Sequence, residues 1–269
     1  HADAVADWAR SIPGWARDLI AACWPGPLTL VLPRTSRAGD YVTGGQDTVG
    51  LRVSAHPLLQ EVMSGLGEES AIAAPSANRF GSVSPTTAAH VVTELGEFLD
   101  ATTDRILDGG PSSIGLESTI VDATGREPAI LRPGQVTVDQ IAQLTGMQPA
   151  AAHGSLRAPG MLANHYSPRA QVVVSEAGQA SLKLAQLTES VDSVALLALQ
   201  PDAIDGNFVT QFLAHDVNDY AHLLYDALRR ADDMSVDLVL AVLPPNTGVG
   251  IAVRDRLQRA AAPAELGSA

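Results

Sequence analysis

Ile72-Ala73-Ala74-Pro75-Ser76-Ala77-Asn78-Arg79-Phe80-Gly81-Ser82-Val83-Ser84-Pro85-Thr86 marks a change of character in the chain, where a short apolar run passes into a dense cluster of small hydroxyl and amide side chains. Ile72 to Ala74 have the character of a buried strand, and Pro75, with no N–H to give to a ladder, ends it. Ser76, Asn78, Ser82 and Ser84 then supply neutral donors and acceptors, while Gly81 and Pro85 shape the backbone so that N–H groups can converge on an anion. Pro85 suits the start of a helix over Ala88 to Leu95, with Ser84 as its N-cap. A strand end, a polar loop and a capped helix together make a place for an oxyanion. The same composition also fits a polar turn that holds no ligand, and the residues alone leave both open.

Upstream, apolar residues recur at helical spacing from Ala2 to Trp24, and Ser11-Ile12-Pro13-Gly14 splits them into two surface helices in which Trp8 and Trp15 are core anchors. Leu28 to Leu32 reads as a buried strand ended by Pro33, Thr48 to Val53 as a second strand, and Pro57 to Leu66 as a helix. Arg52 interrupts an apolar strand pattern between Leu51 and Val53. It must therefore meet either a structural carboxylate or an anionic ligand.

Downstream of the central loop the helix runs to about Phe98, followed by a strand at Ile106 to Asp108 and a turn at Gly109-Gly110-Pro111. Ser118 to Asp122 and Ala129 to Leu131 read as strands, the first with hydroxyls at its entrance and the second ending on Arg132-Pro133-Gly134. A helix over Val138 to Leu144 closes the domain. Strands alternating with helices, with polar groups at strand ends, predict an open α/β sheet that binds its ligand at those ends.

Residues 146–168 carry several glycines and prolines and no sustained periodicity, so they read as a linker between a domain over 1–145 and another over 169–269. The second domain repeats strand and helix: Gln171 to Val174, helix Ala180 to Leu187, strands Val194 to Ala198 and Val209 to Ala214, helix Tyr220 to Ala231, strand Leu238 to Val242 and helix Ile251 to Ala262. That order predicts a small Rossmann-like α/β domain. Gly248 and Gly250 do not complete a dinucleotide fingerprint and read as glycines leading into the last helix.

At 269 residues, 46% of them hydrophobic, the chain is long enough for two packed cores, and with aromatics at 4% those cores are built from Ala, Val, Leu and Ile. Lys plus Arg number 17 against 30 Asp plus Glu, a formal net charge of −13. Residues 1–150 hold 9 basic and 17 acidic side chains, and residues 151–269 hold 8 and 13, so neither half is a basic module of the kind that binds nucleic acid. Lys183 is the single lysine, which leaves phosphate recognition to arginine, serine and backbone N–H groups. One cysteine, Cys23, excludes an internal disulfide and a cysteine-rich zinc site. No apolar run reaches the length of a membrane span, and a cytoplasmic protein is the expectation. His56, His90, His153, His215 and His222 are scattered and read as solvated or capping side chains.

Ser76-Ala77-Asn78 after Ala74-Pro75, followed by Ser84-Pro85-Thr86, resembles the signature of the YrdC-like threonylcarbamoyl-AMP synthase family. Other segments are similar to the same family in the same order: Trp24-Pro25-Gly26-Pro27-Leu28-Thr29-Leu30, Thr48-Val49-Gly50-Leu51-Arg52, Glu117-Ser118-Thr119-Ile120-Val121-Asp122 and Leu131-Arg132-Pro133-Gly134. Pro159-Gly160-Met161 to His165-Tyr166-Ser167-Pro168 and the α/β tail match its two-domain members. The resemblance implies a YrdC-like open twisted sheet, then a linker, then a small Rossmann-like domain.

It also implies a nucleotidyltransferase that joins L-threonine, bicarbonate and ATP into threonylcarbamoyl-AMP and pyrophosphate, with magnesium on the phosphates and without a covalent nucleophile. By resemblance Thr48, Ser76, Asn78, Ser84, Arg132 and Tyr166 hold ATP, while His1, Arg52, Ala74 and Ser118 hold threonine, Arg52 by a bidentate grip on its carboxylate. No residue is implied as a resident metal ligand. The product would pass to a complex that modifies tRNA. Family members carry a Lys-x-Arg segment and further strands upstream of the point where this sequence starts, so the expectation is a chain truncated at its N-terminus that does not itself turn over. Two other classes stay in view: an RNA-binding YrdC-like module without catalysis, against which the acidity of both halves argues, and a carbamoyl-transfer maturation factor, whose zinc-binding cysteines have no counterpart here.

Overall fold

The computed structural model describes residues 2–67, 69–151, 166–187 and 191–262. In chain order the elements begin with α1 (Val5–Trp8), α2 (Gly14–Cys23), β1 (Leu28–Pro33), α3 (Asp40–Thr43), β2 (Thr48–Leu51), α4 (Pro57–Leu66) and α5 (Ala88–Leu95). They continue with β3 (Thr119–Asp122), β4 (Ala129–Arg132), α6 (Val138–Thr145), β5 (Ala150–Ala151), β6 (Gln171–Glu176) and α7 (Ala180–Leu187). The chain then runs through β7 (Val194–Leu199), β8 (Thr210–Ala214), α8 (Val217–Asp233), β9 (Leu238–Leu243) and α9 (Gly250–Ala260). Two compact units result, and they do not follow chain order: residues 1–75 group with 117–161, and residues 76–116 group with 162–269.

The first unit holds a mixed sheet in the order β2-β1-β3-β4-β5. β1 pairs antiparallel with β2 and parallel with β3, β3 antiparallel with β4, and β4 parallel with β5. Period-two alternation explains its core: Leu28, Leu30 and Leu32 of β1 have no exposure and meet Ala16 and Leu19 of α2 and Ile141 of α6. Full burial of each leucine is worth about 1.5–3 kcal/mol relative to exposure. α6 is framed by local chemistry, since Thr137 and Gln140 form a reciprocal capping box and Gly146 ends the helix in the left-handed region at φ 68°.

The second unit's sheet runs β6-β9-β7-β8, with every pair parallel. β7 shows why a parallel sheet must be covered on both faces: Ala195, Leu197 and Leu199 pack into a cluster with α8 and α9, while Val194, Leu196 and Ala198 pack into a cluster with α7. All six residues of β7 and all six of β9 are buried. Asp216 caps α8 by accepting from the N–H groups of Asn218 and Asp219. Gly250 leads into α9 where a Cβ would sit 2.0 Å from the Pro245 carbonyl oxygen, so the close approach fixes glycine there.

Several expectations are corrected. Ile72 to Ala74 and Ile106 to Asp108 form no strand, and Ile72 and Leu107 are 45% and 60% exposed. The apolar runs are short and neither joins a ladder among the described residues, so their composition is not converted into pairing. The N-cap of α5 is Thr87, whose side chain accepts from the His90 N–H, rather than Ser84. The run expected as a linker opens with the Gly146 cap of α6 and contains β5, paired to β4; beyond residue 151 only its last residues, from Tyr166, are described. Trp15 is the anchor expected, 7% exposed with its Nε1–H on the Arg126 carbonyl at 2.9 Å. Trp8 is half-buried, with the Arg37 guanidinium 4.9 Å above its ring.

Candidate functional site

In the first unit the polar residues converge at one end of the three neighbouring strands β1, β3 and β4. Ser118 immediately precedes β3, and its hydroxyl shares a 2.7 Å hydrogen bond with Thr29 of β1. Arg132, the last residue of β4, turns its guanidinium onto the same serine: Nε and Nη2 donate to the Ser118 carbonyl at 3.2 and 2.9 Å, and Nη2 reaches its Oγ at 3.3 Å. Ser118 and Arg132 are 9% and 7% exposed. Two residues beyond Arg132, a Cβ on Gly134 would lie 2.5 Å from Thr119 N and 2.7 Å from the Glu117 carbonyl oxygen. Backbone therefore rests directly on backbone at this point, and the absent side chain of Gly134 sets the position of Ser118.

Arg52 lies just past β2, exposed, and among the described residues no carboxylate pairs with it. Its pKa is pushed below the usual arginine value, first by desolvation of the guanidinium and second by the positive charge of Arg132. Two guanidinium groups that repel each other define a place where an anion is favoured. Thr48 opens β2, paired with Pro33, and Ala74 is exposed outside any helix or strand. His1 lies outside the described residues.

In the second unit the loop after Pro75 is closed on itself by Asn78, whose Nδ2 donates to the carbonyls of Arg79 at 2.9 Å and Ser82 at 3.1 Å. Both partners are carbonyl oxygens, so the network fixes which side-chain atom is nitrogen. Oδ1 is left buried without a partner among the described residues. Such an acceptor calls for a donor, which a hydroxyl, an amine or a water supplies. Gly81 turns the loop at φ 83°, Ser76 is exposed, and Ser84 is 7% exposed. Tyr166 is fully buried in this unit's core, its ring 5.3 Å from that of Tyr225 and 5.4 Å from the Arg256 guanidinium. In this arrangement the ring presents no surface to a ligand.

Thr48, Arg52, Ala74, Ser118 and Arg132 thus fall in the first unit, and Ser76, Asn78, Ser84 and Tyr166 in the second. Two participants escape a reading of the sequence. Thr29 sits inside an apolar strand, and only its odd position in the alternation of β1 marks it as facing away from the leucines. Arg229 is one of two adjacent arginines in α8 and carries no local signal. Among the described residues no three His, Cys, Asp or Glu side chains stand together as a metal site, and no helix is long and apolar enough to cross a membrane.

A mixed sheet with arginines and hydroxyls at its strand ends, joined in one chain to a parallel Rossmann-like sheet, defines a two-domain α/β protein suited to anionic ligands. The family described as "Telomere recombination" (Sua5_yciO_yrdC) matches residues 1–134, and that described as "Threonylcarbamoyl-AMP synthase, C-terminal domain" matches residues 136–262. The threonylcarbamoyl-AMP synthase of Pyrococcus abyssi is 36% identical over 264 residues, covering 94% of this chain and 75% of the relative. That of Bacillus subtilis is 35% identical over 270 residues, covering 95% and 75%. The crystal structure of P. abyssi Sua5 complexed with L-threonine superposes with a TM-score of 0.84 at 34% identity, covering 94% of this chain and 76% of that one. The chain belongs to the threonylcarbamoyl-AMP synthase family, in its two-domain form.

Proposed function

We propose that this chain binds L-threonine, bicarbonate and ATP for the synthesis of threonylcarbamoyl-AMP, with the following division of labour. Bicarbonate and the threonine amine give a carbamate with loss of water; a carbamate oxygen then attacks the α-phosphorus, a new P–O bond forms, the bond from the α-phosphorus to the oxygen bridging to the β-phosphorus breaks, and pyrophosphate leaves with that electron pair. The protein's task is alignment of two anions and relief of their charge. Arg52 takes the threonine carboxylate in a planar fork, with Ser118 and Ala74 beside the amino acid. Thr48, Ser76, Asn78, Ser84 and Arg132 serve ATP, and Asn78 Oδ1, which needs a donor, suits a ribose hydroxyl or a water on the nucleotide. ATP arrives as its magnesium complex, the metal held by phosphates and water. The product passes to a tRNA-modifying transferase in the cytoplasm.

The observation that carries this reading is Arg52: a guanidinium without a carboxylate among the described residues, its pKa lowered by desolvation and by Arg132. The relative solved with L-threonine supports the choice of amino acid. Calorimetry on Arg52→Lys tests it. A lysine cannot reproduce the planar fork, so the threonine Kd should rise about tenfold or more while the ATP Kd moves little. Equal loss for both ligands would assign Arg52 to structure.

A further inference from the structure

We infer that Arg229 of α8 is a positioning residue for the nucleotide loop, so that the C-terminal domain sets the geometry of residues 81–84; this rests on the proposal that Asn78 and Ser84 serve ATP. Arg229 is 9% exposed and lies some 145 positions along the chain from the loop it holds. Its Nε donates to the Ser84 carbonyl at 3.2 Å and its Nη2 to the Val83 carbonyl. Its Nη1 pairs with Glu94 of α5 at 3.1 Å, where the two side chains are 10% and 16% exposed. All three nitrogens of one planar group are thereby used on three partners, an arrangement a lysine ammonium cannot copy.

The same domain supplies the other tie. The Ser167 N–H donates to the Gly81 carbonyl at 3.0 Å, and Val83 and Leu116 are buried within the core cluster built by α8 and α9. The carbonyls of Gly81, Val83 and Ser84 are therefore all held by donors from the 162–269 segment. A trans peptide is planar, so its N–H points opposite to its C=O. Fixing the Val83 carbonyl toward Arg229 fixes the Ser84 N–H on the side away from α8. Asn78 closes the loop from within, and Arg229 orients the closed loop from outside. The ion pair to Glu94 reaches only α5; the two carbonyl contacts are what couple the guanidinium to the backbone of the loop.

The test is ATP-analogue and threonine binding to the full chain by calorimetry, with Arg229→Lys, Glu94→Gln and Asn78→Ala measured beside the unaltered protein. Arg229→Lys keeps a charge for Glu94 and loses the fork; it should raise the Kd for a non-hydrolysable ATP analogue about tenfold or more and leave the threonine Kd within about twofold. Limited proteolysis should cut sooner within residues 76–84. Glu94→Gln, which leaves both carbonyl contacts in place, should change the analogue's Kd less than Arg229→Lys does. An unchanged analogue Kd in Arg229→Lys, with a raised one in Asn78→Ala, would overturn the inference and leave the nucleotide loop standing. Equal weakening of both ligands in Arg229→Lys would also overturn it, as the mark of general destabilisation. No effect of Asn78→Ala would sink the nucleotide loop itself and the inference with it.

Discussion

β7 and β9 of the second unit are buried at every one of their six positions, whereas β2 of the first unit has none buried and leads straight to Arg52. The parallel sheet is covered on both faces and spends its side chains on packing. The mixed sheet gathers Thr29, Ser118 and Arg132 into one hydrogen-bonded group at its strand ends. Under the proposed function one sheet is a scaffold and the other a recognition surface, and substitutions should separate them: stability should fall in the first case, affinity in the second.

The largest expected effect puts that division under strain at Tyr166, which lies at the end of the expected linker. If its ring is a packing staple of the second unit, as its complete burial against Tyr225 and Arg256 indicates, Tyr166→Ala should cost about 3–5 kcal/mol of unfolding free energy. ATP affinity should then change only as far as the neighbouring Ser167 contact to Gly81 loosens. A variant with an unchanged denaturation midpoint and a weakened ATP Kd would reverse the assignment and make the tyrosine a lid over the nucleotide.

Gly134 is next, and it tests the recognition surface. A methyl group there meets the backbone of Glu117 to Thr119 at 2.5–2.8 Å, so neither a rotamer nor a flexible side chain can give way. Gly134→Ala should cost about 1–3 kcal/mol and, because the displaced backbone is that of Ser118, weaken threonine binding as well. Gly14, with nothing within 4 Å of its would-be Cβ, is the control: Gly14→Ala should leave both quantities nearly unchanged. If Gly134→Ala lowers stability without touching affinity, the Ser118 group belongs to the scaffold.

The same contrast explains what could be read from the sequence. The second domain was legible almost element by element, with α7 at its expected limits and β6 to β9 within one or two residues, because a doubly covered sheet leaves unbroken apolar runs between polar turns. The first unit's strands β1 to β4 were legible as short apolar runs bounded by turn residues, although β2 has no buried position, whereas β5, two alanines in a glycine- and proline-rich run, carried no such signal. Ile72 to Ala74 and Ile106 to Asp108 misled because apolar composition states a preference for burial and says nothing of a partner strand. At the site, Ser118 and Arg132 stood out as hydroxyl and charge at strand ends, whereas Arg52 stood out as a charge inside an expected strand and lies exposed one residue past the end of β2. The neighbourhood of Arg52 and Arg132, the Thr29 contact and the reach of Arg229 are products of tertiary pairing, which local pattern does not encode.

The smallest expected effect concerns His90, beside Arg229 on the loop's helix. Its Nδ1 lies 3.2 Å from the Thr86 backbone N–H, which can only donate, so the ring must be neutral with its proton on Nε2. Its pKa is held below the ordinary histidine value, first by desolvation and then by the Arg229 charge, with Asp226, Asp233 and Glu94 opposing. A lowered folded-state pKa means that the unfolded chain takes up the proton first as pH falls. This group's contribution is therefore complete above about pH 6.5, the unfolded value, and is lost as pH drops from there through the lower folded value. His90→Asn places a non-titrating Oδ1 near the position of Nδ1 and should flatten that part of the profile: melting temperature followed from pH 7.5 to 5 should fall less steeply than in the unaltered protein, with nearly equal values at the upper end. Parallel profiles would mean that protonated His90 is tolerated beside Arg229. The loop would then be held without regard to the charge of its neighbour, and the carbonyl contacts of Arg229 alone would account for its order.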